Sequence, residues 1–274
     1  MATRSAKETI RKQLAQAIAA RLEHIRTAEG ELLKQEELAD IPGEIERSLE
    51  RSLKRLRRER VDVLQFHNHL GVGPRHVSES QMLGPKGVAE TLARLKAQGL
   101  IRAMGLTAAG DTAACIQVIE SGAFDTAQVY YNLLNPSAAW SHVPVPWTGQ
   151  NFSGVMAACQ KQHMGILNIR VFAGGSLASP VRHGREFVMA AGADLDAEAR
   201  RAAQVAQVLG EGYGSLAQAA LRFCLGDARI STCVIGLAEL AHLELALLAA
   251  AAGPLPGEAI EQLGTVWSRD FAAP

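Results

Sequence analysis

Apolar residues recur along this chain in two rhythms, one every three to four residues and one in short continuous runs. The first begins at once. Ile10, Leu14, Ile18, Leu22 and Ile25 form one helical stripe, and Ser5 with Glu8 three residues later supplies a capping box at its start. The stretch RTAEGELLKQEELADIPG is weakly patterned. It predicts a frayed strand near residues 25 to 33, then a short helix stopped at Pro42-Gly43. Beyond that point Ile45, Leu49, Leu53 and Leu56 share one face of a surface helix whose other faces are charged.

From residue 61 the two rhythms alternate. VDVLQFH reads as a strand, KGVAETLARLKAQGL as a helix closed at Gly99, and IRAMGLTA as a strand. DTAACIQVIESG and FDTAQVYYN repeat the helix–strand order, as do FSGVMAACQKQHMG and ILNIRVF. Two helices follow between residues 196 and 225, separated near Gly212 and Gly214. Then come the strand STCVIG, the helix AELAHLELALLAAA and a last helix opened by Pro256. Strands are expected at 61–66, 102–106, 126–130, 165–170 and 231–235, all parallel, because crossover helices of ten to fifteen residues make successive βαβ units. No G-x-G-x-x-G follows any strand, which disfavours a Rossmann dinucleotide fold. No linker, repeat or low-complexity block divides the chain, so residues 1–274 read as one domain, with a divergent helical segment over 1–42 and the regular part over 43–274.

Composition narrows the function classes. Hydrophobic residues make up 48% of the 274, enough for a large core, and Lys plus Arg and Asp plus Glu each total 28. Zero net charge argues against nucleic acid or a membrane surface as the main partner. The basic run KRLRRER (residues 54 to 60) carries an interleaved Glu and reads as a solvated helix face. LELALLAAAAG is too short to span a bilayer and contains Glu244, and the first residues lack a signal-peptide core. Cys115, Cys159, Cys224 and Cys233 lie in apolar surroundings without C-x-x-C spacing, which fits reduced thiols and a cytoplasmic location. The eight histidines show no zinc-ligand spacing, so no metal is expected.

Candidate chemistry starts at VDVLQFHNH (residues 61 to 69). A buried strand ending in His67, Asn68 and His69 needs a reason beyond packing. One reading is a strand-end imidazole with a structural hydrogen bond; the other is a catalytic group at the mouth of a sheet, with Asn68 and His69 in the loop beyond, facing substrate or solvent. The order of RSLERSLKRLRRERVDVLQFHNH, LARLKAQGLIRAMGLTA, GAFDTAQVYYNLLNP, SLAQAALRFCL and STCVIG resembles the aldo/keto reductases over residues 41 to 252. The resemblance implies a TIM-type (β/α)8 barrel with its site at the C-terminal strand ends. It also implies reduction of an aldehyde or ketone, a small-molecule carbonyl substrate, with NADP(H) or NAD(H). No segment remains here for the first two strands of that barrel, and the third is degenerate, so the expected barrel is incomplete.

On the same resemblance His67 falls on the family histidine of a Tyr, Lys, Asp and His tetrad. The tetrad Tyr, Asp and Lys find no counterpart; Lys34 is the nearest lysine, several residues late, and Tyr131 is a tyrosine that could substitute. Thr107 and Gln128 fall on positions that hold the nicotinamide carboxamide, with Ala108 where the family has Asn. Arg170 ends the strand from which the family stacks a ring on the nicotinamide. Ser176 belongs to AGGSLASP (residues 173 to 180), matching the pyrophosphate loop. Gly236 precedes a helix start that matches the phosphate site, and Glu239 there would repel a 2′-phosphate. Trp147, in the Pro-rich PVPWTGQNF (residues 144 to 152), reads as an exposed residue able to close over substrate. Three functions stay open: a carbonyl reductase of impaired activity, an inactive barrel that binds nucleotide or a protein partner, and a barrel lyase or isomerase using His67 and His69.

Overall fold

The computed structural model describes residues 37–179 and 194–272. The stripe from Ile10 to Ile25, the Ser5–Glu8 box, the strand near 25–33, Lys34 and Pro180 lie outside the described residues. A 3-10 turn at Glu37–Asp40 leads into helix α1, Ile41–Leu56. Pro42 and Gly43 sit in its first turn and do not break it. Proline fits there because its missing N–H would have had no helical partner, and Asp40 caps the turn by accepting from Gly43 N at 3.1 Å. Ile41, Ile45 and Leu49 are buried, but the stripe fades toward the C-terminus, where Leu56 is 54% exposed.

The remaining elements alternate as their patterns imply. Strand β1 is Val61–Phe66, followed by two short strands, β2 (His69–Leu70) and β3 (His76–Val77). Helices α2 (Glu79–Leu83) and α3 (Val88–Ala97) precede β4, Ile101–Ala108. Then come α4 (Thr112–Glu120), β5 (Thr126–Tyr130), α5 (Val155–Lys161) and β6 (Gly165–Ile169). The described chain ends with α6 (Leu195–Leu209), α7 (Leu216–Leu225), β7 (Ile230–Cys233), α8 (Leu240–Ala251) and α9 (Gly257–Trp267).

Five strands form one parallel sheet in the order β1-β4-β5-β6-β7. Side-chain alternation divides its faces. Phe66, Met104, Leu106, Ala127, Val129 and Ile166 are buried and, by parity, share the helix-covered face. The opposite face carries Val63, Gln65, Thr107, Gln128 and Tyr130, and toward β1 it is open enough that Val63 is 38% exposed. Leu167 on that same face is half-buried. Among the described residues no helix is long and apolar enough to cross a membrane.

Candidate active site

Parallel register is what assembles the site. Phe66 pairs with Leu106 and Thr107 with Gln128, so His67, one step past the end of β1, stands level with both. His67 Nδ1 lies 2.9 Å from Thr107 Oγ1, and the Thr107 hydroxyl donates to Gln128 Oε1 at 2.8 Å. A threonine has one hydroxyl proton, and here it goes to an amide oxygen that can only accept. The Thr107 oxygen must therefore accept from His67 Nδ1–H. The imidazole is held with a proton on Nδ1, and Nε2 is the nitrogen that accepts a proton when neutral and donates one when charged. No hydrogen bond engages Gln128 Nε2 among the described residues.

One layer deeper, Gln65 Nε2 donates to Thr126 Oγ1 at 2.9 Å, reaching over β4. It can do so because residue 105 is glycine: a Cβ there would stand 2.2 Å from Gln65 Oε1. Gln65 Oε1 itself is buried without a partner among the described residues.

The mouth opens into a cavity of about 470 Å³ at the ends of β4, β5 and β6. His69 and His76 line one side, Ala108 to Gly110 the rim, Tyr130, Phe152 and Ile169 the floor, and Thr148 to Gln150 the far wall. Tyr130 stacks on Phe152 with ring centroids 5.0 Å apart, and burial pushes its hydroxyl up to about 12. Tyr131, the tyrosine singled out above, faces the other way. It is buried in the helix layer against Phe223 at 4.8 Å, and burial raises its hydroxyl well above the usual phenol range, so it cannot act at the cavity.

Several sequence expectations are corrected at this mouth. Asn68 does not face substrate or solvent: it is 1% exposed, and its Oδ1 accepts from His69 N at 3.0 Å. His69 does reach the cavity, together with His76, which carried no sequence signal. Trp147 is half-buried, set edge-on to Trp140 at 5.4 Å, with its indole N–H enclosed and without a partner among the described residues. Its loop is fastened in place. Thr148 N and Oγ1 donate to Asp270 Oδ2 at 2.8 and 2.5 Å, and Arg201 Nη2 donates to Thr148 Oγ1 at 2.7 Å.

The cofactor positions are brought together unevenly. His67, Thr107 and Gln128 form one connected chain. Arg170 closes β6 in the left-handed region (φ 63°), its carbonyl accepting from Asn132 Nδ2 at 2.9 Å, and its charge bears on the Tyr130 hydroxyl. Ser176 caps the 3-10 turn at Ala173–Gly175 and donates to Glu198 Oε2 at 3.4 Å, away from that chain. Burial keeps the Glu198 carboxyl above the usual range. Gly236 lies in open space three residues past β7, and Leu240 begins the next helix with Glu239 as an N-cap whose side chain makes no capping bond. The four cysteines are free, and burial pushes Cys115 and Cys159 up to about 12.

A parallel sheet covered by crossover helices, with its polar chain and cavity at the C-terminal strand ends, defines a barrel-type α/β protein. The Aldo/keto reductase family model matches residues 18–268, and the chain belongs to that family. Its fold is similar to aldo-keto reductase AKR11C1 from Bacillus halodurans in the holo form (TM-score 0.61, 17% identity, covering 85% of this chain and 69% of that one). It is also similar to the glycerol dehydrogenase AKR11B4 from Gluconobacter oxydans (TM-score 0.58, 17% identity, 85% and 66%). A third similar structure is an aldo/keto reductase from Klebsiella pneumoniae in complex with NADP and acetate (TM-score 0.56, 18% identity, 82% and 65%). The chain thus spans between 65% and 70% of the length of such structures. No curated protein matches it.

Proposed function

We propose that this chain, acting as one barrel unit over residues 43–274, binds a nicotinamide nucleotide and reduces small carbonyl compounds slowly. The hydrogen-bonded chain His67–Thr107–Gln128 at the ends of three adjacent strands carries the reading. A nicotinamide fits these residues: the amide N–H of Gln128, unengaged among the described residues, suits a carboxamide oxygen, and Thr107 holds that amide in place. Arg170, Ser176 and Gly236 are the further positions that would hold the nucleotide. When bound, the nucleotide supplies the hydride; NADP(H) and NAD(H) both remain open, with Glu239 disfavouring a 2′-phosphate.

The residues of the chain then have to supply a proton. Charge left on the carbonyl oxygen must be neutralised by a positioned acid, and such an acid contributes about 10²- to 10⁴-fold. His67 can donate from Nε2 as the imidazolium while Nδ1 stays bonded to Thr107. Slow turnover follows from the rest of the cavity. Among the described residues no lysine lines it, and burial raises the Tyr130 hydroxyl above its usual range, away from that of a tuned donor. Those same two observations favour the second reading, a barrel that binds nucleotide without reducing anything.

The test is to measure nucleotide binding by quenching of intrinsic fluorescence and, separately, oxidation of the reduced nucleotide with a simple aldehyde. Weak binding with slow turnover that falls as pH rises, and that disappears in His67→Gln, supports the reductase. Binding with no turnover at any pH supports the inactive barrel. Robust turnover unaffected by His67→Gln would overturn the assignment of roles.

A further inference from the structure

The cavity wall opposite Tyr130 holds a second device that carbonyl reduction does not use. His69 and His76 stand directly opposite each other on the two-stranded parallel ladder of β2 and β3, their ring centroids 5.4 Å apart. The ladder is braced. Leu70 N donates to Ala109 O and Asp111 N to Leu70 O, both at 2.8 Å, which ties β2 to the cavity rim. The turn between the two histidines admits only glycine at its tight points. Gly73 has φ +154°, and a Cβ on it would stand 2.9 Å from His76 Nδ1. Gly71 has φ +121°, and its Cβ would meet Asp111 Cβ at 2.8 Å.

The chemistry of the pair is one-sided. His76 Nδ1 donates to Pro74 O at 3.0 Å, so its Nε2 is the nitrogen left for another partner. Neither ring nitrogen of His69 has a hydrogen bond among the described residues. The groups facing His69 are His76 across the ladder, His67 at the end of β1 and Arg75 in the turn, all cationic when charged. Among the described residues no Asp or Glu lines the cavity. Burial and this like-charge crowding hold the His69 imidazole below its usual range. Two half-buried imidazoles facing a cavity whose described lining offers no counter-charge are complementary to an anion.

We propose that His69 and His76 form an anion subsite that takes the carboxylate of a small oxo acid, whose carbonyl lies toward His67. The assignment of the carbonyl rests on the reductase reading; the anion subsite itself does not. Tyr130, Phe152 and Ile169 supply an apolar floor for the short carbon chain of such an acid. A phosphate of the bound nucleotide offers the same anionic chemistry, so the experiment separates the two sources.

The full chain, with histidine ring nitrogens labelled, is titrated without nucleotide in parallel with pyruvate, pyruvamide and inorganic phosphate, and again with reduced nucleotide present. Pyruvate is expected to move the His69 and His76 ring signals and raise the pH at which His69 titrates. Pyruvamide, of similar shape but uncharged, should leave them in place. Replacing both residues (His69→Gln, His76→Gln) should weaken pyruvate binding about tenfold or more, as loss of charge-assisted hydrogen bonds implies, with nucleotide affinity unchanged. The proposal is overturned if pyruvamide moves the signals as far as pyruvate, if pyruvate moves neither, or if only inorganic phosphate binds. It is also overturned if nucleotide alone occupies the pair and excludes pyruvate, which would give the subsite to the cofactor. Because binding is read without turnover, a chain that fails to reduce any carbonyl still tests the subsite.

Discussion

Thr107 is the residue on which the site turns, because its one hydroxyl both accepts from His67 and donates to Gln128. Thr107→Val keeps the shape and removes both bonds. It is expected to cost about 1–3 kcal/mol by leaving polar groups unpartnered, read from urea denaturation, and to weaken nucleotide binding in the same preparation. His69 makes a separate prediction. Its folded value is lowered, first by burial and then by His76, His67 and Arg75. An unfolded imidazole titrates near 6.5, so between the two values the unfolded state binds more protons. Stability is therefore full above about 6.5 and is lost as pH falls through the lowered value. The urea midpoint should drop on acidification, and drop less in His69→Gln. His67, Thr107 and Gln128 were legible in the sequence because strand ends and family spacing both marked them. Tyr130 was legible in principle, since parity places it on the face of Gln128 and its neighbour Tyr131 on the other. His76 was not, because a two-residue ladder has no periodicity to read.

At the scale of elements, helix α9 and the loop before α5 hold the cavity wall. Trp267 Nε1 donates to Leu133 O at 2.9 Å inside the core, with its ring against Phe223 and Trp140. Trp267→Phe leaves that carbonyl buried and unpaired, an expected loss of about 1–3 kcal/mol measurable by thermal denaturation. Asp270→Ala acts differently. It releases Thr148 and Arg201 together, so affinity for cavity ligands should change more than the melting temperature does. The five long strands could be read from sequence because each is a short apolar run between a helix stop and a turn. Their ends shift by only a residue or two, as where β4 continues to Ala108. Pro42-Gly43 misled because proline in a first helical turn and proline after a helix look alike without the Asp40 cap. Helix α2 escaped notice, being five residues long, although Ser78 and Gln81 form its capping box.

Across the whole molecule, apolar surface gathers on α8 and the β7 side. Leu247 and Leu248 are each 61% exposed, and Val234 and Leu225 are exposed too. Replacing Leu247 and Leu248 with lysine should change stability by less than about 0.5 kcal/mol while lowering concentration-dependent light scattering. The sheet order has a consequence of another kind. Every strand pairs with the next long strand in the chain, so each ladder closes one loop, and those loops differ in length. The bond between Thr107 and Gln128 spans 21 residues, that between His67 and Thr107 spans 40, and that between Asn168 and Val129 spans 39. Ile166 and Ser231 are 65 apart. Closing a shorter loop loses less chain entropy before contacts repay it. The β4–β5 pair is therefore expected to form first, with β7 joining last. Leu106→Ala and Ala127→Gly should slow refolding, whereas Ile230→Val should mainly speed unfolding. Stopped-flow kinetics that place the nucleus at β6–β7 would overturn that order.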